Sequence, residues 1–171
     1  TIRQIKARSP QTSVEVLVPD FQGREDSIRA VLEAEPDIYN HNTETVPRLY
    51  KRCRPGGRYE RVMDIFRLAK QIAPHIPTKT GIILGMGETL EEVELVMRDL
   101  RAVDVDLLTL GQYLRPSQSH IPMDRYVTPE EFRRLRDVGM ALGFRHVESG
   151  PLVRSSYHAW EQVQQMTQSS L

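Results

Sequence analysis

Polar side chains follow several short apolar stretches of this sequence, and they are the groups that could bind a ligand. Asn40, His41 and Asn42 end one such stretch, and Glu44 follows two residues later. Amide and imidazole groups are poor strand formers and poor core residues, so they suit the rim of a ligand site. A turn with an asparagine cap is the alternative explanation for a lone Asn. Because the triplet repeats the geometry of a second stretch, we favour a ligand site.

The second stretch is residues 79–89, with the sequence KTGIILGMGET. It predicts a short buried strand over 82–84, a tight turn at two glycines that can approach a ligand, and then a helix. Thr89 and Glu92 have the spacing of a capping box, which marks the helix start. Glu88 could bind a ribose or a cation, or could equally cap the helix. The stretch lacks the third glycine of a dinucleotide fingerprint and the Gly-Lys-Ser of a P-loop, so its signal is weak by itself.

Composition excludes several classes of function. The chain has 171 residues, which suits one domain with a real core, and 23 basic residues balance 23 acidic ones. The balanced charge gives no sign of nucleic-acid binding. No apolar run approaches the roughly 18 residues that a membrane span needs. The first residues lack the apolar core of a signal peptide. Cys53 is the one cysteine, so a disulfide or a cysteine-only metal cage within this chain is excluded. The five histidines show no metal-binding spacing. A reducing compartment, most simply the cytoplasm, follows.

Strand and helix patterns alternate at least three times along the chain. We predict strands at 14–18, 37–42, 82–84, 106–110 and 145–150, with a mostly helical segment over 44–53 and amphipathic helices after most strands. This alternation indicates an α/β fold built as a parallel barrel or an open sheet. Because the carboxyl ends of parallel strands share one end of the fold, we expect one cavity mouth to gather Asn40, Asn42, Lys79, Glu88 and Tyr113.

Five blocks of the sequence carry a resemblance to a known family. In chain order they are VEVLVPDF at 14–21, NHNTETV at 40–46, KTGIILGMGET at 79–89, GQYLRPS at 111–117 and GPLVRSSY at 150–157. Together they resemble the lipoyl synthases, which are radical S-adenosylmethionine (SAM) enzymes. The Arg-Ser-Ser-Tyr run near the C-terminus is highly specific. The resemblance covers about residues 1–160 as one domain and leaves 161–171 as a tail.

The resemblance implies a partial TIM-type (β/α) barrel, made of the later strands of a radical SAM core plus a C-terminal extension. It implies SAM and two [4Fe–4S] clusters as cofactors, which carry the hard chemistry. The reaction would insert two sulfur atoms, at C6 and C8, into an octanoyl chain on a lysine of a lipoyl domain or glycine-cleavage H protein. An electron donor such as ferredoxin or flavodoxin would serve it, in the cytoplasm or, in a eukaryote, an organelle matrix.

The sequence departs from this family in its cysteines. The family holds its radical cluster with a Cys-x3-Cys-x2-Cys motif and its auxiliary cluster with three further cysteines upstream, and Cys53 matches neither set. The chain therefore resembles the C-terminal part of a lipoyl synthase. We expect it to be inactive by itself.

The resemblance also implies roles for individual residues. The SAM pocket would include Asn40, Asn42, Glu44 and Lys79, with Glu88 and Tyr113 near the adenine and ribose. Ser156, the second serine of the Arg-Ser-Ser-Tyr run, resembles the ligand of the auxiliary cluster, and Ser155 is the alternative. A serine oxygen on iron is unusual because clusters normally take thiolates. A Ser-Ser cap before a short terminal helix would be the better explanation of an isolated pair, but the other blocks of the resemblance favour the cluster ligand.

Two other functions fit the residues. The basic segment 48–61 could dock acyl-carrying domains on a non-catalytic half-barrel. Alternatively, another βα-barrel enzyme could bind a phosphate at Gly85 to Gly87. Where the first strands of the barrel are absent, we expect apolar surface and an exposed sheet edge formed by the first strand present, at 14–18.

Overall fold

The computed structural model describes residues 1–155 as a parallel sheet with helices packed on one face. Five strands lie in chain order and are all parallel: β1 Glu15–Leu17, β2 Ile38–Asn40, β3 Thr78–Leu84, β4 Leu107–Gln112 and β5 His146–Gly150. Parallel strands in chain order are the arrangement of a (β/α) barrel, and here β1 and β5 are left as edges. The predicted partial barrel is thus confirmed as an open half-barrel.

Helices pack on the outer face of this sheet; the first precedes β1, and the others connect successive strands. They are α1 Ile2–Arg8, α2 Glu25–Leu32, α3 Tyr50–Cys53, α4 Tyr59–Ile72, α5 Leu90–Ala102 and α6 Pro129–Ala141, with 3-10 turns at Phe21–Gly23 and Pro47–Leu49. Reciprocal capping boxes start α5 at Thr89 and α6 at Thr128. None of the helices within residues 1–155 is long and apolar enough to cross a bilayer.

Side-chain alternation divides the sheet into two different faces. The outward residues of β3, Ile82 and Leu84, belong to the main apolar core that the helices cover. Their neighbours Lys79, Gly81 and Ile83 point to the opposite, inner face. In a complete barrel that face would line the interior, and it carries the polar residues of interest.

Two predicted elements differ from the structure. Residues 44–46 are not helical, since Glu44 forms an isolated bridge with Ile82, and the helical turns begin only at Pro47. The reason is that the Glu44 N–H donates to Gly81 O (2.9 Å) and the Glu44 carbonyl accepts from Ile83 N (2.8 Å), so its backbone groups are paired with β3. The third strand begins at Thr78 rather than at residue 82, because residues 79–84 pair with β4 throughout.

The predicted edge strand is present. β1 pairs only with β2, and Leu17 on it is 57% exposed. Unpaired edges promote association. That consequence stays a prediction.

Candidate functional site

A cavity of about 250 Å³ lies on the inner face, toward the carboxyl ends of β3 and β4. Its polar lining includes Asn42, Glu44, Thr109 and Arg154, and its apolar lining includes Ile83, Leu114 and Val153. A concave pocket with apolar walls and a few convergent polar groups is the usual form of a small-molecule site. The carboxyl ends of parallel strands are its usual place.

Hydrogen bonds with two hydroxyl side chains and one guanidinium hold the backbone that carries Asn42 and Glu44. The Thr43 N–H donates to Thr80 Oγ1 (3.0 Å), and the two threonine hydroxyl oxygens lie 2.8 Å apart. The Tyr50 hydroxyl donates to the Thr43 carbonyl at 2.6 Å. Arg54 Nη1 donates to the Asn42 carbonyl at 2.7 Å. These bonds fix the backbone, so the two side chains meet the cavity in a set orientation.

Glu44 combines an unusual backbone with a buried carboxyl. Its φ of 70° lies in the left-handed region, which costs about 1 kcal/mol or more for a residue with a Cβ. Burial raises the pKa of the Glu44 carboxyl, while the nearby Arg54 charge and a hydrogen bond from Asn42 act in the opposite direction. Backbone strain of this kind often accompanies function. A carboxyl here can accept hydrogen bonds from hydroxyl or ammonium groups of a ligand.

Asn42 packs against a glycine that leaves room for its amide. A Cβ at Gly81 would lie 3.0 Å from Asn42 Oδ1 and 2.9 Å from Thr109 Oγ1, so Gly81 cannot gain a side chain without displacing them. Asn42 Oδ1 is buried and has no hydrogen-bond partner. An unpaired buried carbonyl is costly, and its presence beside a cavity marks a place where a donor is missing.

Asn40 and Lys79 lie deeper on the same face. They are register partners of β2 and β3, and both reach Glu15 on β1: Lys79 Nζ lies 3.0 Å from Glu15 Oε2, and Asn40 Nδ2 donates to Glu15 Oε1 at 2.7 Å. The Lys79 side chain is fully buried. Neither residue lines the cavity, because each precedes the cavity level by two residues along its strand.

Glu88 is turned toward its own loop. Its carboxylate accepts the N–H groups of Gly85 and Met86, the latter at 3.0 Å, and it does not line the cavity. Tyr113 does line the cavity, and its hydroxyl donates to the Ile121 carbonyl at 2.9 Å. Of the five residues expected around one mouth, Asn42 and Tyr113 line this cavity, whereas Asn40, Lys79 and Glu88 do not. Their assignment as SAM-pocket residues stays a prediction.

Sequence reasoning missed several residues of the cavity. Thr109, Gly111 and Val153 had no assigned role, although the last two lie in blocks that carried the resemblance. Thr80 was missed because a threonine inside a strand has no distinctive pattern. Arg154 was noticed only as part of the Arg-Ser-Ser-Tyr run. The guanidinium of Arg154 brings a positive charge to the cavity wall.

No group of three or more His, Cys, Asp or Glu residues within 1–155 is arranged to hold a metal ion. Cys53 ends α3 outside the cavity, and burial raises the pKa of its thiol. Ser155 lines the cavity. Ser156, the predicted cluster ligand, lies outside the described residues.

The chain matches both a protein superfamily and individual proteins of known name. Residues 1–100 match the family model of the radical SAM superfamily. The chain is 60% identical over 163 residues to a lipoyl synthase of Koribacter versatilis, an alignment that covers 95% of this chain and 54% of the relative. The lipoyl synthase of Thioalkalivibrio sulfidiphilus is 56% identical over 166 residues, covering 96% of this chain and 52% of the relative. That of Rubrobacter xylanophilus is 53% identical over the whole chain and 53% of the relative. The chain spans about half the length of the curated relatives it matches.

Proposed function

The chain belongs to the radical SAM superfamily, and we propose that it is the C-terminal part of a lipoyl synthase. The complete protein would insert sulfur at C6 and C8 of an octanoyl chain held on a lysine of a lipoyl domain or H protein. The observation that carries the proposal is the cavity, because its polar residues Asn42, Glu44 and Arg154 come from the blocks shared with this family.

The cavity residues suit SAM chemically. Glu44 and Arg154 bring groups of opposite charge to one wall, which complements the ammonium and carboxylate of an amino-acid moiety. Asn42 Oδ1 still lacks a donor. The apolar side chains of Ile83 and Leu114 offer contact surface for a base or an acyl chain. We assign SAM binding to Asn42 and Glu44 and a flanking position to Tyr113. Bound SAM would supply the radical that abstracts hydrogen, and the chain's own residues would orient it and keep water away.

The clusters need ligands from elsewhere. The described residues contain no set that could hold iron, so no step is assigned to a cluster here. Ser156 is proposed as one ligand of the auxiliary cluster. The cysteine ligands would come from the part of the protein that this chain does not include. An external electron donor and a cytoplasmic location belong to the same proposal.

Direct assay of the complete protein tests the proposal. We expect the complete protein, reconstituted with iron and sulfide and given SAM and a reductant, to add two sulfur atoms from its auxiliary cluster to an octanoylated H protein, measured as the mass gain of the carrier. Ser156→Ala should retain SAM cleavage and lose sulfur insertion, whereas the neighbouring Ser155→Ala should retain both. Absence of product from the unmodified protein would overturn the function. Loss of product only in Ser155→Ala would overturn the ligand assignment.

The alternatives have less support. The N–H groups of Gly85 and Met86 already bond the Glu88 carboxylate, so they are not free for a phosphate. Within the basic segment 48–61, Arg48 pairs with Glu92 and Arg61 pairs with Asp20, so part of its charge is used within the fold.

A further inference from the structure

Gly111 lies where the chain after β5, residues 151–155, passes over β4. It occupies β4 next to Gly150 of β5 in the strand register, and it faces the cavity. A Cβ built at Gly111 would overlap the Val153 carbonyl oxygen and would come within 3.6 Å of Arg154 Nη1. The absence of a side chain is therefore what lets residues 151–155 pass this close to the strand.

Residues 151–155, which we call the strap, return over the sheet after β5. The Val153 N–H donates to the Gly150 carbonyl at 3.1 Å, which makes a tight turn at the strand end. The Val153 side chain is 5% exposed, whereas the adjacent Leu152 is 77% exposed. Val153, Arg154 and Ser155 all line the cavity, so the strap forms one of its walls.

We propose that Gly111 is a positioning residue, whose missing side chain seats the strap as a wall of the cavity. In its functional consequence the proposal rests on the proposed function. Residues 153–155 keep their places in the wall only while the strap sits against β4. A methyl group at position 111 would lift the strap and move the chain that leads into Ser156.

Hydrogen exchange on the complete protein tests the placement. In Gly111→Ala, the Val153 amide should exchange about tenfold faster or more, in line with the usual cost of overpacking a close contact. Exchange of the β3 amides should stay unchanged. Gly150→Ala is the matched control, because a Cβ there would make an ordinary 3.5 Å contact with Val153 Cγ2.

A second pair of variants covers the case in which Gly111→Ala does not fold. Val153→Asp should free the strap without altering the sheet, and Leu152→Asp should leave it seated because Leu152 is exposed. Unchanged strap exchange in Gly111→Ala, or in Val153→Asp where the former fails to fold, would overturn the placement.

The catalytic readout separates positioning from general destabilisation. In Gly111→Ala, the sulfur inserted per SAM cleaved should fall about tenfold or more, because small displacements at a reacting centre are costly. The KM for SAM should rise as well, because Arg154 moves with the strap, so the two rates are compared at saturating SAM. A normal ratio despite faster strap exchange would overturn the functional role of Gly111. If the unmodified protein makes no lipoyl product, the proposed function fails while the exchange data still decide where the strap sits.

Discussion

Two levels of the inner face use the same kinds of polar residue in opposite ways. At the lower level, Asn40 and Lys79 both bond the carboxylate of Glu15, and the lysine is fully buried. At the upper level, two residues further along the chain from Asn40, Asn42 and Glu44 line the cavity, and Glu44 adopts a left-handed backbone. The side-chain Oδ1 atoms of Asn40 and Asn42 are both buried without a partner, so this feature does not separate the levels. The lower level ties three strands together, whereas the upper level faces a cavity.

The difference shows what distinguishes a structural polar group from a binding one. A buried charge that meets its partner adds order to the sheet and has little capacity left for a ligand. Strained backbone such as that of Glu44 is a cost that persists when the rest of the fold holds it in place, and such strain clusters at functional sites. Thr80, Tyr50 and Arg54 supply that support at the upper level.

Removing the ion pair between Glu15 and Lys79 at the lower level should have the largest effect on stability. Glu15→Gln leaves the Lys79 ammonium buried without its counter-charge, and we expect a loss of about 3 kcal/mol in the free energy of unfolding. The estimate lies at the lower end for buried pairs because Glu15 keeps 18% exposure. Denaturant unfolding measures it.

A double variant sharpens this comparison. Glu15→Gln combined with Lys79→Met removes both charges but keeps a side-chain oxygen that can accept from Asn40 Nδ2, so it should recover most of the lost stability. A single Glu15→Gln variant as stable as the unmodified protein would show that Lys79 is not held as an ion pair.

Replacing Glu44 should separate binding from stability at the upper level. Glu44→Gly removes the left-handed strain and should stabilise the fold by about 0.5–1 kcal/mol. The same change should weaken SAM binding to the complete protein about 10- to 100-fold, because a charge-assisted hydrogen bond is lost. Calorimetric titration and thermal unfolding measure the two effects.

Asp104→Gly is the matched control for that variant. Asp104 also has a left-handed φ, 56°, but does not line the cavity. It should gain similar stability with unchanged SAM binding. Equal binding by both variants would remove Glu44 from the site.

The pH dependence of stability should give the smallest effect. Burial raises the pKa of Glu44 above its ordinary 4.5. The contribution of Glu44 to the free energy of unfolding is therefore fully present below pH 4.5, and it declines as the pH rises through the raised pKa. Glu44→Gln should therefore gain stability relative to the unmodified protein between pH 4 and pH 7, as measured by unfolding at both values.

Glu92 provides the opposite case outside the cavity. A hydrogen bond from Arg48, with one from the Thr89 N–H, lowers the pKa of Glu92 to about 2. Its contribution is present above pH 4.5 and is lost as the pH falls toward 2. Glu92→Gln should flatten the acid side of the stability profile by about 1 kcal/mol or less, because Arg48 is largely exposed. Parallel profiles for both variants would contradict these assignments.

Local patterns predicted the elements well and the contacts less well. The predicted Thr89 capping box was confirmed because a cap depends on residues three apart. The predicted helix at 44–53 failed at its start because pairing with β3, far along the chain, competed for the backbone groups of Glu44. Glu88 was predicted at the cavity, but two N–H groups of its own turn were nearer partners.

The sequence by itself determined the alternation of strands and helices, the half-barrel class, and the family, because these follow from periodicity, caps and shared blocks. Only the tertiary structure decided which polar residues face the cavity. Asn40 and Asn42 are two residues apart and chemically identical, yet one meets Glu15 and the other does not. Strand register sets how far along the inner face each side chain lies, and register arises from pairing between distant segments. The close contact between Gly111 and residues 151–155 likewise depends on how distant segments of the chain pack together.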